Sequence, residues 1–464
     1  MTSPISAPPQ PLHVSPAPRS SGTGLLKILG VLFGATMIVA NTIGVGILRT
    51  PGDVAAALPS PVWFLGVWII GALYSLCGAM TVAELAAMLP QSGGQYVFAR
   101  RAMGEYAGFV IGWTDWISSA AAIAAASIGL GELSAEFWPS LLPAKTAIAF
   151  AITLAFGVLH WIGVRSGDVS TRAIGITKVL TLLAVAVACL VTTPIAGRAS
   201  AVALPAGLAL GTAVVIAFQN VMYTYDGWTG YAYFGGEVTD ARRVPRAMAL
   251  GVVCVAVVYI ALNAAFLHTL GIGGLAGEKF AAKAAAVSVF GAYGERIVTA
   301  VMAISILGNV SAIMMLLSRV PFAMAHDGLL PHAMARVNRG GTPDIAHFAS
   351  VAVVLVLIAS GTFASVLALA AFFYVMQYGV SFTSLFVLRV REPNLPRPYR
   401  AWGYPIIPAI VLIGAAAFIA GSIVGDRENS VRSILVLVAS YPVYRLSTWW
   451  RGRRRDVSEP ESLP

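Results

Sequence analysis

Twelve long runs almost free of charge divide the chain, and they constrain its fold more than any motif does. They cover residues 27–49, 62–89, 104–138, 145–163, 172–193, 207–235, 246–270, 286–317, 345–361, 363–389, 404–424 and 431–449. A helix crosses a bilayer with about 20 apolar residues. Hydrocarbon offers no water to the backbone, so such runs must pair every N–H and C=O internally, as helices do. The chain is 58% hydrophobic and 11% charged, with a mean hydropathy of +0.80. Soluble domains carry about 25% charge. The expected fold class is therefore an all-α polytopic membrane protein with twelve transmembrane helices. The third run exceeds what a bilayer requires and predicts tilt or an extension beyond it.

The net charge of +10 has a topological explanation. With both termini in the cytoplasm, 21 Lys and Arg fall in inner segments, 8 in outer ones, and Lys178 inside a run. Inner loops of membrane proteins collect positive charge, so this orientation is expected, in the plasma (inner) membrane, with no role for nucleic acid. The WWRGRRR stretch at 449–455 reads as an interfacial tryptophan belt with arginines beneath it. Residues 1–23 are rich in Pro and Ser and read as a disordered cytoplasmic tail; residues 451–464 read as a basic one. No Cys/His cluster and no HExxH, GxSxG or Walker-type motif occurs in the chain. No metal site, cofactor or catalytic residue is expected, and the chain does not read as an enzyme.

Two glycine clusters stand out at membrane depth. Ile43-Gly44-Val45-Gly46-Ile47 ends the first run, and Tyr225-Asp226-Gly227-Trp228-Thr229-Gly230-Tyr231 lies in the sixth. Gly44 and Gly46 are two apart and point to different helix faces, so they do not form a small-residue packing seam. Gly71 and Gly78 do fit plain packing. A broken helix is tolerated in a membrane only where it lines a cavity or is buried in protein. The first and sixth runs are five apart, as corresponding helices of a five-plus-five inverted repeat would be, and paired interruptions of this kind point to a transporter's substrate site.

NTIGVGIL in the first run resembles the first-helix signature of the amino acid–polyamine–organocation (APC) superfamily. SGGQYVFARRAMGEYAGFVIGW at 92–113 is similar to that family's loop between helices two and three. YTYDGWTGYAYFGGEVTDARRVPRAM at 223–248 resembles its sixth helix and the loop after it, and SRVPFAMAHDGLLP at 318–331 the end of its eighth. Tyr225, Gly227 and Trp228 look closest to the L-type transporters and their bacterial relatives. The resemblance implies helices 1–5 over 24–202, an inverted copy over 203–395 with helices 1 and 6 discontinuous, and two extra C-terminal helices over 396–450. It implies that a substrate carboxylate meets N–H groups around Gly44, Val45 and Gly46. The ammonium would meet carbonyls of Ile43 and of Tyr223, Thr224, Tyr225 and Asp226, beside Gly227. Tyr223 takes the family's aromatic gate position; Trp228 is either a gate or a packing residue.

Two charged residues inside runs keep more than one reading. Lys178 reads as a lysine snorkelling to the inner interface. The resemblance implies instead that its ammonium replaces a sodium ion between helices one, five and eight, with Ser305 as a neighbour. There it either only pins helix one or also couples proton flow by releasing its proton when desolvated. At Asp226 the L-type pattern has glycine. The acid either binds a cationic substrate, carries a proton or caps the second half-helix. Glu84, Asp115 and Glu132 are expected to pair with loop arginines at an inner gate or to form plain structural ion pairs. The implied function is a secondary active permease moving amino acids or related amines across the plasma membrane. It would work by alternating access, independently of sodium, as a proton symporter or exchanger. A channel or substrate sensor on the same scaffold is the alternative. The sequence names neither the substrate nor an oligomeric state.

Overall fold

A computed structural model describes residues 24–192, 204, 207–360, 363–425 and 427–458. The expected tail at 1–23 and the last residues, 459–464, lie outside them. The described residues form α1 (Val31–Thr42), α2 (Gly46–Ala57), α3 (Pro61–Met88), α4 (Gln95–Met103), α5 (Glu105–Phe137), α6 (Lys145–Ile162), α7 (Val164–Val191) and α8 (Leu208–Thr224). They continue with α9 (Val244–Leu275), α10 (Ala281–Phe290), α11 (Gly294–Leu317), α12 (Arg319–His326), α13 (Asp344–Ser360), α14 (Phe363–Arg391), α15 (Ile406–Gly425) and α16 (Arg427–Ser458). No strand occurs among the described residues, only isolated bridges joining Leu29 to Val238 and Ser92 to Phe234.

Among the described residues, six helical stretches are long and apolar enough to cross a membrane, and α1 with α2, bent by 55°, makes a seventh if the pair is one span. Shorter apolar helices occupy Ala209–Thr224, Asp344–Ser360 and Ile406–Gly421. These helices are apolar all round, as helices buried in protein or in lipid are. α5 and α11 sit deepest, and α6 lies at the periphery.

The apolar runs predict most of these helices closely, α5 to within a residue of each end. Three expectations need correction. The run 286–317 is not one helix: Gly291, at φ +59°, ends α10, and the chain restarts at Gly294, packed against the Ala286 carbonyl. The sixth run does not continue as a helix to 235. After Thr224 it becomes turns and short 3-10 segments at Gly230–Tyr233 and Gly235–Glu237. The stretch 92–113 is not simply a loop, because α4 lies within it. Gly71 and Gly78 do mark close packing, against Val221 of α8 and Trp228.

Buried ion pairs lock one end of the bundle. Arg319 Nε and Nη2 each lie 3.0 Å from an oxygen of Glu237, both residues fully buried, with the guanidinium 4.9 Å above the Phe234 ring. Glu84 pairs with Arg389 and with Arg397 at 3.3 Å, so its expected arginine pairing is present. Asp115 instead accepts from Tyr233 and Ser119, and Glu132 pairs with Lys145 at 3.3 Å, far from this cluster. Asp327 joins Tyr96 at 2.7 Å and Arg100 at 3.0 Å. Burial alone would raise its carboxyl, but hydrogen bonds from His326 and Tyr96 and the Arg100 cation hold it below its ordinary value. Breaking a buried pair from one side strands a charge and costs about 3–5 kcal/mol. Glu237→Gln should therefore lower the thermal midpoint sharply, whereas pairing it with Arg319→Met should recover part of the loss.

Candidate functional site

The first break spans Ile43 to Val45. The N–H groups of Gly44, Val45 and Gly46 donate to no described residue, while Leu48 N–H turns back to the Val45 carbonyl at 3.0 Å. A helix N-terminus leaves such donors unpaired and carries about half a positive charge, which favours anions. The second break follows Thr224. Asp226 N–H meets the Tyr223 carbonyl at 3.3 Å, and Gly227 adopts φ +115°, a conformation for glycine. A side chain at Gly227 would strike the Asn41 and Thr42 backbone at 2.9 Å, so the two breaks touch here.

Two side chains, Asn41 and Tyr259, join the breaks, and two more, Asn309 and Lys178, hold the first one. Asn41 Nδ2 donates to the Gly227 carbonyl at 2.8 Å, and Asn309 of α11 donates to the Asn41 carbonyl at 2.6 Å. The buried Tyr259 hydroxyl lies 3.0 Å from both the Thr42 and the Thr224 carbonyls and can donate to either. Lys178 of α7 donates to the Ala40 carbonyl at 2.8 Å and to the Ile43 carbonyl at 2.5 Å. It is fully buried and reaches the broken end of α1, so it does not snorkel to an interface.

Both breaks face one cavity of about 530 Å³. Gly44, Val45, Gly46, Tyr223, Thr224, Asp226 and Gly227, all named from the sequence, line it. Five expected site residues lie off its wall, among them Lys178, which sits behind the first break. Ile43 is buried, and its carbonyl accepts from Lys178. Tyr225 packs between Trp68 and Tyr259. Trp228, 2% exposed, stacks on Tyr378 with ring centroids 4.7 Å apart, behind the cavity. Ser305 is buried with its hydroxyl unpartnered, and Gly308, one turn on in α11, lies against the ammonium, where an added Cβ would meet Lys178 Nζ at 2.9 Å. Tyr223 is 40% exposed and edges the cavity.

Asp226 accepts hydrogen bonds from the Tyr378 hydroxyl and the Gly227 N–H, and no described cation pairs with it. The segment after it forms turns in place of a second α-helix, so the capping reading does not describe its contacts. Sequence reasoning missed Asn41, Tyr259, Asn309 and Tyr378. Only Asn41 carries a local signal, since it immediately precedes the glycine break.

An apolar helical chain with two interrupted segments facing one cavity has the architecture of a membrane carrier. The family description "Amino acid permease" matches residues 25–440, and the chain belongs to that family. It is 28% identical over 441 residues to the serine/threonine exchanger SteT of Bacillus subtilis, covering 92% of this chain and 98% of SteT. It is 26% identical over 467 residues to the human large neutral amino acids transporter small subunit 2, covering 96% of this chain and 85% of that one. The mouse Asc-type amino acid transporter 1 is 25% identical over 450 residues, covering 94% and 84% respectively.

Proposed function

We propose that this permease carries a zwitterionic amino acid by alternating access, with the carboxylate on Gly44, Val45 and Gly46 and the ammonium between Asp226 and the carbonyls of the second break. The unpaired N–H groups at the start of α2, facing an acid across one cavity, carry this reading. A zwitterion needs donors and acceptors at close quarters, and the two breaks supply both. Tyr223 is the gate. Twelve spans, arranged as two inverted repeats over 24–202 and 203–395 with two added helices, fit the order of helices. Both termini face the cytoplasm of the plasma membrane, in keeping with the Lys and Arg distribution. The exchanger and transporter relatives favour exchange over a channel or sensor.

Lys178 supports sodium independence. Its ammonium holds the Ala40 and Ile43 carbonyls that a sodium ion would otherwise coordinate. Counterflow in proteoliposomes tests both claims. Internal unlabelled amino acid should accelerate labelled uptake, and replacing sodium with choline should leave the rate unchanged. Lack of trans-acceleration would remove exchange, and collapse of uptake in choline would remove the role given to Lys178.

A further inference from the structure

Behind the main cavity lies a second one of about 340 Å³, between α3, α8, α14 and α15. Its wall is almost entirely carbon, from residues such as Ile70, Val215, Phe218, Val375, Ala417 and Phe418. Ile70 and Val215 are exposed on the outer surface of the bundle, so the cavity reaches the side that faces lipid. Its inner end is different. Tyr223, Asp226, Tyr374 and Tyr378 form a wall shared with the main cavity. Asp226 has only a tyrosine hydroxyl for a described side-chain partner. An uncompensated acid among aromatic rings suits a cation, which gains both the charge and the ring faces. The carbon-lined chamber behind suits an apolar tail, and its volume lies in the range of small-molecule sites.

We propose that this lateral cavity binds amphiphilic primary amines, with the ammonium on Asp226 and the tail between α8 and α15. A ligand seated there reaches the wall that the main cavity also uses, so it should slow amino acid exchange. Its entry from the lipid side does not require the main cavity to open. The proposal does not depend on which amino acid is carried, because binding is read separately from transport.

The test uses the purified full-length protein with phenylbutylamine, and with phenylbutanol and phenylbutanoate as neutral and anionic counterparts of similar shape. Saturable binding is followed by thermal shift and by tryptophan fluorescence, since Trp228 lines the cavity. The amine should bind at least about tenfold more tightly than either counterpart, a difference of about 1.4 kcal/mol. Asp226→Asn should weaken the amine and leave the alcohol unchanged. Ala417→Phe should fill the chamber and abolish amine binding while amino acid counterflow persists. Val215→Phe fills it from another helix and should do the same if the first variant fails to fold. Equal binding of amine and alcohol would overturn the proposal, since the chamber would then hold hydrocarbon only. Unchanged amine binding in both filled variants would also overturn it, by assigning the amine to the main cavity.

Discussion

Gly46→Leu is expected to reduce amino acid uptake to background while the protein remains folded and inserted. A Cβ at Gly46 already lies 3.3 Å from the Thr224 side chain and 3.5 Å from its Cα. Contacts that tight need a neighbour to yield, and Thr224 is tied to Thr50 at 3.1 Å and to its own helix at 2.9 Å. The larger Leu side chain has nowhere to go but the cavity, over the N–H groups that would hold the carboxylate. Gly46→Ala should fall between the two, because it asks Thr224 to shift by only a few tenths of an ångström. Gly44→Ala makes a useful contrast, since nothing lies within 4 Å of a Cβ there. Its fold should be untouched, so any loss of uptake reports occupation of the site itself. Uptake by Gly46→Leu at the wild-type rate would contradict the site.

Lys178→Met should reduce exchange by at least about a hundredfold and lower the thermal midpoint. The substitution keeps the apolar stem but leaves the Ala40 and Ile43 carbonyls without their donor, and each buried orphan costs about 1–3 kcal/mol. The end of α1 then loses the contact that fixes it to α7, and the geometry of the first break goes with it. Lys178→Arg should not rescue, because the space is closed by Gly308, where a Cβ would stand 2.5 Å from Lys178 Cε. Gly308→Ala attacks the same contact from α11 and should reproduce part of the loss. The assay is counterflow with the thermal midpoint measured in parallel; a stable, fully active Lys178→Met protein would show that the ammonium is dispensable.

The helices were legible in the sequence where a long apolar run ends in a clear break. α5 and the end of α1 are such cases, because hydrocarbon forces pairing along the run and glycine releases it. Legibility failed where one apolar run hides two helices, as at Phe290–Gly294, since hydropathy does not register a single glycine with positive φ. It failed differently in the sixth run, where the glycines announced a break but not that turns and 3-10 segments would replace the second half-helix. Within the site, the residues on the breaks themselves were visible from glycine spacing and from the misplaced Asp226. The residues that hold the breaks together were not. Tyr259 and Asn309 look like ordinary members of apolar helices, and their roles arise from contacts across the fold. Trp228 and Tyr225 share a motif with Asp226, yet the turn after Thr224 directs them into packing.

The central claim is that two broken helices supply opposite backbone charges to one zwitterion. The direct measurement uses the Ala417→Phe protein, whose lateral cavity is filled, and compares binding of the amino acid giving the largest thermal shift with that of its methyl ester and its decarboxylated amine. If the site is as described, removing either the negative charge or the carboxylate should cost at least about tenfold in affinity, the ester and amine failing alike. An amine or ester that binds as tightly as the parent amino acid would contradict it.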